Sequence, residues 1–197
     1  GSIANGSRST AMGVETIASG WGSTAMGDHT LARGNRSIAM GQYASAYGDT
    51  SFASGYYSTA TGDHSTAMGD QTNASGWRAT ALGYLTTASG SGSTAMGVAT
   101  AARGSESTAM GYLTTADGGQ ATAMGYHSDA AGTYSLASGY LSNASGSAST
   151  ALGDTTKAIG SSSTAFGYRT TATGDRSIAM GKNINVVGND SLGVGVN

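Results

Sequence analysis

The chain has no proline and no cysteine, and only 10% of its residues are charged. Without proline, nothing in the sequence interrupts a backbone hydrogen-bond ladder, so long regular arrays are open to it. Without cysteine there is neither a disulfide framework nor thiol chemistry, which fits a surface location and a cytosolic one equally. The formal charge of −2 is spread over interspersed acids and bases, so neither the basic stripe of a nucleic-acid binder nor a patch for an anionic membrane is present. No run approaches the roughly 20 apolar residues of a membrane-crossing helix. No signal-peptide pattern is visible either, and the chain reads as a mature segment or fragment of a longer protein. What remains is heavy in Gly, Ser, Thr and Ala, a composition that in random order would indicate disorder.

The order is not random. From Gly6 to Gly195 a glycine stands at every seventh position, 28 in register, and the residue two before it is alanine except in the last two cases, Val186 and Gly193. Alternate heptads differ: Ser-Thr-Ala-Met-Gly recurs at 9–13, 23–27, 65–69, 93–97 and 107–111, while the intervening heptads hold small or polar residues before glycine, such as Ser19, Thr61 and Asp117. The true period is fourteen, close to S-T-A-M-G-x-x-T-x-A-x-G-x-x. One register from end to end predicts a single domain over residues 1–197, regular over about 3–181 and looser over 182–197.

Each heptad is expected to form about five residues of strand and a two-residue turn, with glycine supplying a positive φ or a close approach at the corner. Two strands and two corners make one coil, and stacked coils pair each strand in parallel with its copy one turn later. The predicted fold is an all-β, flattened β-solenoid of 14-residue, two-strand coils. Side-chain alternation assigns the faces. Ser9 and Ala11 face a narrow interior, and Thr10 and Met12 face outward. The second sheet carries pairs such as Asn73/Ser75 and Thr171/Thr173 on its outside, so one outer face is apolar and the other is wet.

All eight methionines lie in the apolar column, and none of the 20 charged residues does. Its members are Met12, Met26, Met40, Met68, Leu82, Met96, Met110, Met124, Leu152, Phe166 and Met180. Ser54 and Ser138 interrupt it, but Phe52 and Leu136 two positions earlier restore the lost volume. Such a stripe, about 13 coils or some 60–65 Å long, is too large to expose on a soluble monomer. These thirteen residues are the expected interface between copies of the chain around an axis parallel to the solenoid. Periodicity alone leaves two copies and three equally open.

The runs Ser37-Ile38-Ala39-Met40-Gly41 and Ser177-Ile178-Ala179-Met180-Gly181 resemble the head repeat of the trimeric autotransporter adhesins, the YadA-like family of bacterial surface proteins. The resemblance covers essentially the whole chain, with Met where the family often has Ile and Thr where it often has Val. It implies a left-handed parallel β-roll, assembled as a homotrimer, at the bacterial cell surface. It also implies a stalk and an outer-membrane anchor, whose sequences are absent here. The implied function is attachment to host cells or extracellular matrix by multivalent, non-catalytic binding. The loosening beyond Lys182 marks the approach to a neck.

Catalysis is not expected. His29, His64 and His127 are the only histidines and read as solvated turn residues. The aspartates do not follow the nine-residue calcium roll, and no base accompanies the serines as a nucleophile would require. No metal or other cofactor is expected. The notable surface feature is a tyrosine column after the Met-class glycine: Tyr56, Tyr84, Tyr112, Tyr140 and Tyr168 every 28 residues, with Tyr126 in the same slot. These rings fit either packing between neighbouring chains or a contact strip for a ligand. Trp21 and Trp77, in the opposite corners, carry the same two readings. The competing function is an ice-binding solenoid. Against it, the regular Thr column shares its face with methionine, and the wet sheet is irregular.

Overall fold

A computed structural model describes residues 1–196, and every regular element among them is a strand. The fold is a parallel β-solenoid of fourteen-residue coils with two sheets. The chain falls into two compact units, Gly1–Ala99 and Thr100–Asn197. In each unit seven five-residue strands form one sheet and seven two-residue strands form the other, all parallel and each paired with its copies fourteen residues away. Thr108–Tyr112 thus pairs residue for residue with Thr122–Tyr126, including Ala109 with Ala123 and Met110 with Met124.

The expectation of five strand residues in every heptad holds for the Met class only. The other class keeps two, as in Thr115–Ala116, because the chain turns at once after alanine. Gly118 opens that turn, and its carbonyl accepts the N–H of Ala121 at 3.2 Å. Gly111, by contrast, sits inside its strand at φ +126°. This φ lets the ladder run one residue further, so Tyr112 closes the strand instead of standing in the corner as expected. The same extension puts Asp28, Asp70, Asp154 and Lys182 at strand ends.

The left-handed turn residue is not glycine either, except at Gly22 and Gly92. It lies two positions after each glycine, and 25 non-glycine residues adopt it, among them Arg36, Tyr43 and Leu113 at φ of 54–56°. Such a conformation costs an L-residue roughly 1–2 kcal/mol. Coil stacking offsets it, because the N–H of the strained residue bonds to the previous coil, as from Gln120 to the Ser105 carbonyl at 2.7 Å. Glycine is required by proximity: a Cβ on Gly118 would overlap the carbonyl of Gly132, and one on Gly111 would overlap that of Gly125.

The interior is narrower than a conventional core. From Ala18 to Ala179 the inward-facing alanines, Ala25, Ala109 and Ala116 among them, are 0% exposed, and the largest fully buried side chains are threonines such as Thr114. Threonine thus joins the alanine and serine ladder predicted for the interior, in the slot just before the short strand. Two inner serines, Ser37 and Ser177, donate to the carbonyls of Gly34 and Gly174 at 2.6 Å. With little apolar area to bury, the fold rests on its backbone ladder, each bond contributing about 0.5–1.5 kcal/mol net.

Candidate interaction surfaces

The residues facing away from that interior decide what the protein can touch. On the outer face of the long-strand sheet in residues 1–99, Met12, Met26, Met40, Ser54, Met68, Leu82 and Met96 stand in one register. In the second unit Met110, Met124, Ser138, Leu152, Phe166, Met180 and Val194 do the same. Phe52 and Leu136 occupy the adjoining threonine column, in line with Thr66 and Thr150. Each face spans seven strands, or about 29 Å. Its side chains are open to solvent in the single chain: Met12 is 57% exposed, Met96 40% and Phe166 50%. Near the end of the second unit Phe166, Met180, Val194 and Val196 line an apolar hollow of about 470 Å³.

The short-strand sheet is wet over most of its outside but not all of it. Ile3, Ile17 and Leu31 occupy its first three outward positions, and with Glu15, His29 and Tyr43 they line a groove of about 440 Å³. The periodic reading missed this patch, because it averaged the second sheet over all coils.

The tyrosine column divides into unlike parts. Tyr112, Tyr126 and Tyr140 stack face to face along one chain, with ring centroids 5.1 Å apart and planes within 9° and 14°. The ring spacing follows the strand spacing of about 4.8 Å, which lets identical residues stack coil on coil. Tyr168 stands beyond Asp154 with the Arg169 guanidinium 5.1 Å from its ring. Tyr84 has Asp70 and Val98 as its strand neighbours. Tyr56 belongs to a different cluster: Tyr43 and Tyr57 stack at 4.6 Å, and Tyr56 meets Tyr57 edge-on at 4.6 Å. Partial desolvation raises the Tyr56 hydroxyl above its ordinary pKa, with Tyr57 adding to the effect. The sequence signal for Tyr43 and Tyr57 was their fourteen-residue spacing in the left-handed slot, one position after the column considered.

His29 occupies that slot one coil before Tyr43, and the two rings lie 5.0 Å apart. Its Nδ1 is 2.5 Å from Asp28 and its Nε2 is 2.7 Å from Glu15. The bond to Asp28 raises the histidine pKa and lowers that of the carboxylate, with Gln42 helping the latter at 3.0 Å. His127 lies beside Tyr126, with ring centroids 6.0 Å apart. Among the described residues no group of three or more His, Asp or Glu side chains is arranged to hold a metal ion. Exposed ion pairs join successive coils at Arg103–Asp117 and Arg176–Asp190.

The family profile described as the YadA head domain repeat matches residues 4–30, 32–58, 60–84, 74–100, 102–128, 130–156 and 158–183. No curated protein matches the chain.

Proposed function

The chain belongs to the YadA head-repeat family, and from that premise we propose that it is the head of a homotrimeric bacterial surface adhesin. It attaches the cell to host extracellular-matrix or cell-surface molecules by binding alone, with no bond made or broken. The observation that carries this reading is the outer face of the long-strand sheet, a column of Met, Leu and Phe without a charge, open to water in the single chain. Apolar patches of that extent mark interaction surfaces. A cyclic assembly around an axis along the solenoid covers every copy of such a face without leaving an edge.

In that assembly Met12, Met26, Met40, Phe52, Met68, Leu82, Met96, Met110, Met124, Leu136, Leu152, Phe166 and Met180 line the trimer interface. The tyrosine ladder and the wet sheet face outward. Repetition of weak contacts along them, multiplied by three chains, supplies avidity. The stack of Tyr112, Tyr126 and Tyr140 is already formed in the free chain, which lowers the ordering cost of binding.

Light scattering combined with sedimentation tests the assembly. The expected result is a particle of three times 19.3 kDa. A monomer at micromolar concentration would remove the main support for the reading. Adhesion is tested separately, by attachment of cells displaying the protein to immobilised matrix.

A further inference from the structure

The indoles of Trp21 and Trp77 are already covered: the guanidiniums of Arg8 and Arg36 lie 5.7 and 4.8 Å from the Trp21 ring, and that of Arg78 lies 3.9 Å from the Trp77 ring. The wet sheet, by contrast, carries a motif that neither the fold nor the apolar face uses. Of the eight asparagines in the chain, five begin Asn-x-Ser, at Asn5, Asn35, Asn73, Asn143 and Asn189. This is the tripeptide of N-glycosylation, in which the amide nitrogen accepts a sugar and the hydroxyl two residues on is recognised with it. In a serine-rich repeat the motif alone means little. At Asn35 and Asn189 the serine belongs to the inner column and follows from the register.

The fold separates the five. A transferase has to reach amide and hydroxyl together, from one side. At Asn35 it cannot: Ser37 is 0% exposed and donates to the Gly34 carbonyl at 2.6 Å, and the Asn35 amide donates to Asp49 at 3.2 Å. At Asn189 the side-chain oxygen is held by the Asp175 N–H at 2.9 Å, and the Ser191 hydroxyl turns back onto the Asn189 carbonyl at 3.0 Å. At Asn5 the turn that Ser9 closes on Gly6 at 3.1 Å divides the motif, with Ser7 in the corner.

Asn73 and Asn143 are placed differently. Each opens a short strand, Asn73–Ala74 and Asn143–Ala144, whose alanine is sealed inside. The serine that follows stays in the ladder, with the Ser75 N–H on the Ala88 carbonyl at 2.9 Å and the Ser145 N–H on that of Ala158 at 3.0 Å. Alternation then sets asparagine and serine side by side on the outer face, and both serines are exposed. Asn73 stands between two short side chains, Thr59 and Thr87, and its amide has no partner among the described residues. Asn143 lies between Asp129 and Lys157 and donates to Asp129 Oδ2 at 3.1 Å. Asn185 takes the same slot in the strand Asn185–Val186, but Val187 follows it and no hydroxyl is offered.

We propose that Asn73, and more slowly Asn143, are acceptors for N-linked glycosylation on the folded solenoid. The donor is a nucleoside-diphosphate hexose, and the catalyst is a separate transferase that reads the tripeptide. The asparagine Nδ2 forms a bond to the anomeric carbon of the hexose. The anomeric C–O bond breaks, the nucleoside diphosphate leaves with its electron pair, and the amide nitrogen gives up one proton. The backbone ladder is untouched, because only a side chain facing water changes. Acceptor capacity belongs to the single chain and does not depend on the adhesin reading.

The purified protein is incubated with UDP-glucose and a bacterial N-glycosyltransferase that uses this donor, and the sites are mapped by peptide mass spectrometry. Synthetic peptides spanning residues 30–40 and 68–78 serve as unfolded references. The expected result is one hexose on Asn73 and one on Asn143, with none on Asn35, Asn185 or Asn189. Asn143 reacts about tenfold more slowly, the effect of giving up one hydrogen bond to a carboxylate. Asp129→Ala frees that amide and brings Asn143 to the rate of Asn73. The 30–40 peptide is modified where the folded protein is not, because unfolding opens the Asn35 motif. Ser75→Ala abolishes transfer to Asn73 and Ser75→Thr preserves it, with Tm unchanged in both. A folded protein that takes no hexose at Asn73 overturns the proposal. So does transfer to Asn35 or Asn185 at the rate of Asn73, or transfer to Asn73 that survives Ser75→Ala.

Discussion

The two faces of one strand, Thr108–Tyr112, have opposite fates. Ala109 is sealed inside its own chain, while Thr108 and Met110 on the other side stay partly open to water. Both faces have register neighbours fourteen residues away, but the inner face is also covered by the short-strand sheet across the coil, and the outer face has no second layer of its own chain over it. A regular period therefore solves the packing of one face and leaves the other unsolved at every coil. That turns a structural repeat into a repeated interface.

The sharpest way to break the closed side is Gly118→Ala. The added methyl overlaps the Gly132 carbonyl, and backbone cannot yield as a side chain can. The expected cost is about 3 kcal/mol or more, at the top of the overpacking range, seen as a fall of about 6–12 °C in Tm. A variant melting with the wild type would refute the close stacking of coils. On the open side, Met110→Asp places a charge in the proposed interface. It is expected to yield monomers in sedimentation while shifting the melting of the separate chain by less than about 0.5 kcal/mol. Persistent association at low concentration would assign the face wrongly.

The turns lie between these extremes. Tyr126→Ala removes the central ring of the stack and both 5.1 Å contacts, for an expected loss of about 1 kcal/mol. The same substitution at Tyr84, which has no stacked tyrosine in its strand register, should cost less, and equal losses would show that stacking adds nothing. The smallest effect is that of pH on His29. Its folded pKa is raised, so its contribution is complete below the ordinary 6.5 and fades as pH rises through the folded value. The lowered Asp28 contributes above its ordinary 3.8 and fades as pH falls through its folded value. The Tm difference between wild type and His29→Ala should thus be greatest between about pH 4 and 6.5 and shrink in alkali. A constant difference from pH 5 to 9 would contradict the clamp.

Much of this was legible in the residues. Alanine at every seventh position, with serine two before it in the Met class, can only face a narrow space, and alternation then puts methionine outside. The length of the second strand was not legible. Thr-x-Ala-x-Gly alternates as well as Ser-Thr-Ala-Met-Gly, and what shortens it is the turn bond between Gly118 and Ala121. Nor could residue type show that Arg36, Tyr43 and Leu113 take a left-handed backbone, since nothing about them favours it. Tyr43 and Tyr57 were hidden because their partner in the cluster, Tyr56, lies in a different slot of the coil.

The sequence by itself determined the coil length, the parallel register and the division into inner and outer side chains, because a strict period admits few ways to repeat a strand and side chains alternate along it. Only the tertiary structure decided which glycines are strained and which are merely crowded. It alone placed the tyrosines in a stack and sorted the asparagine motifs into open and closed ones. Those outcomes depend on distances between successive coils, and a side chain fourteen residues away becomes a neighbour only when the coil has closed.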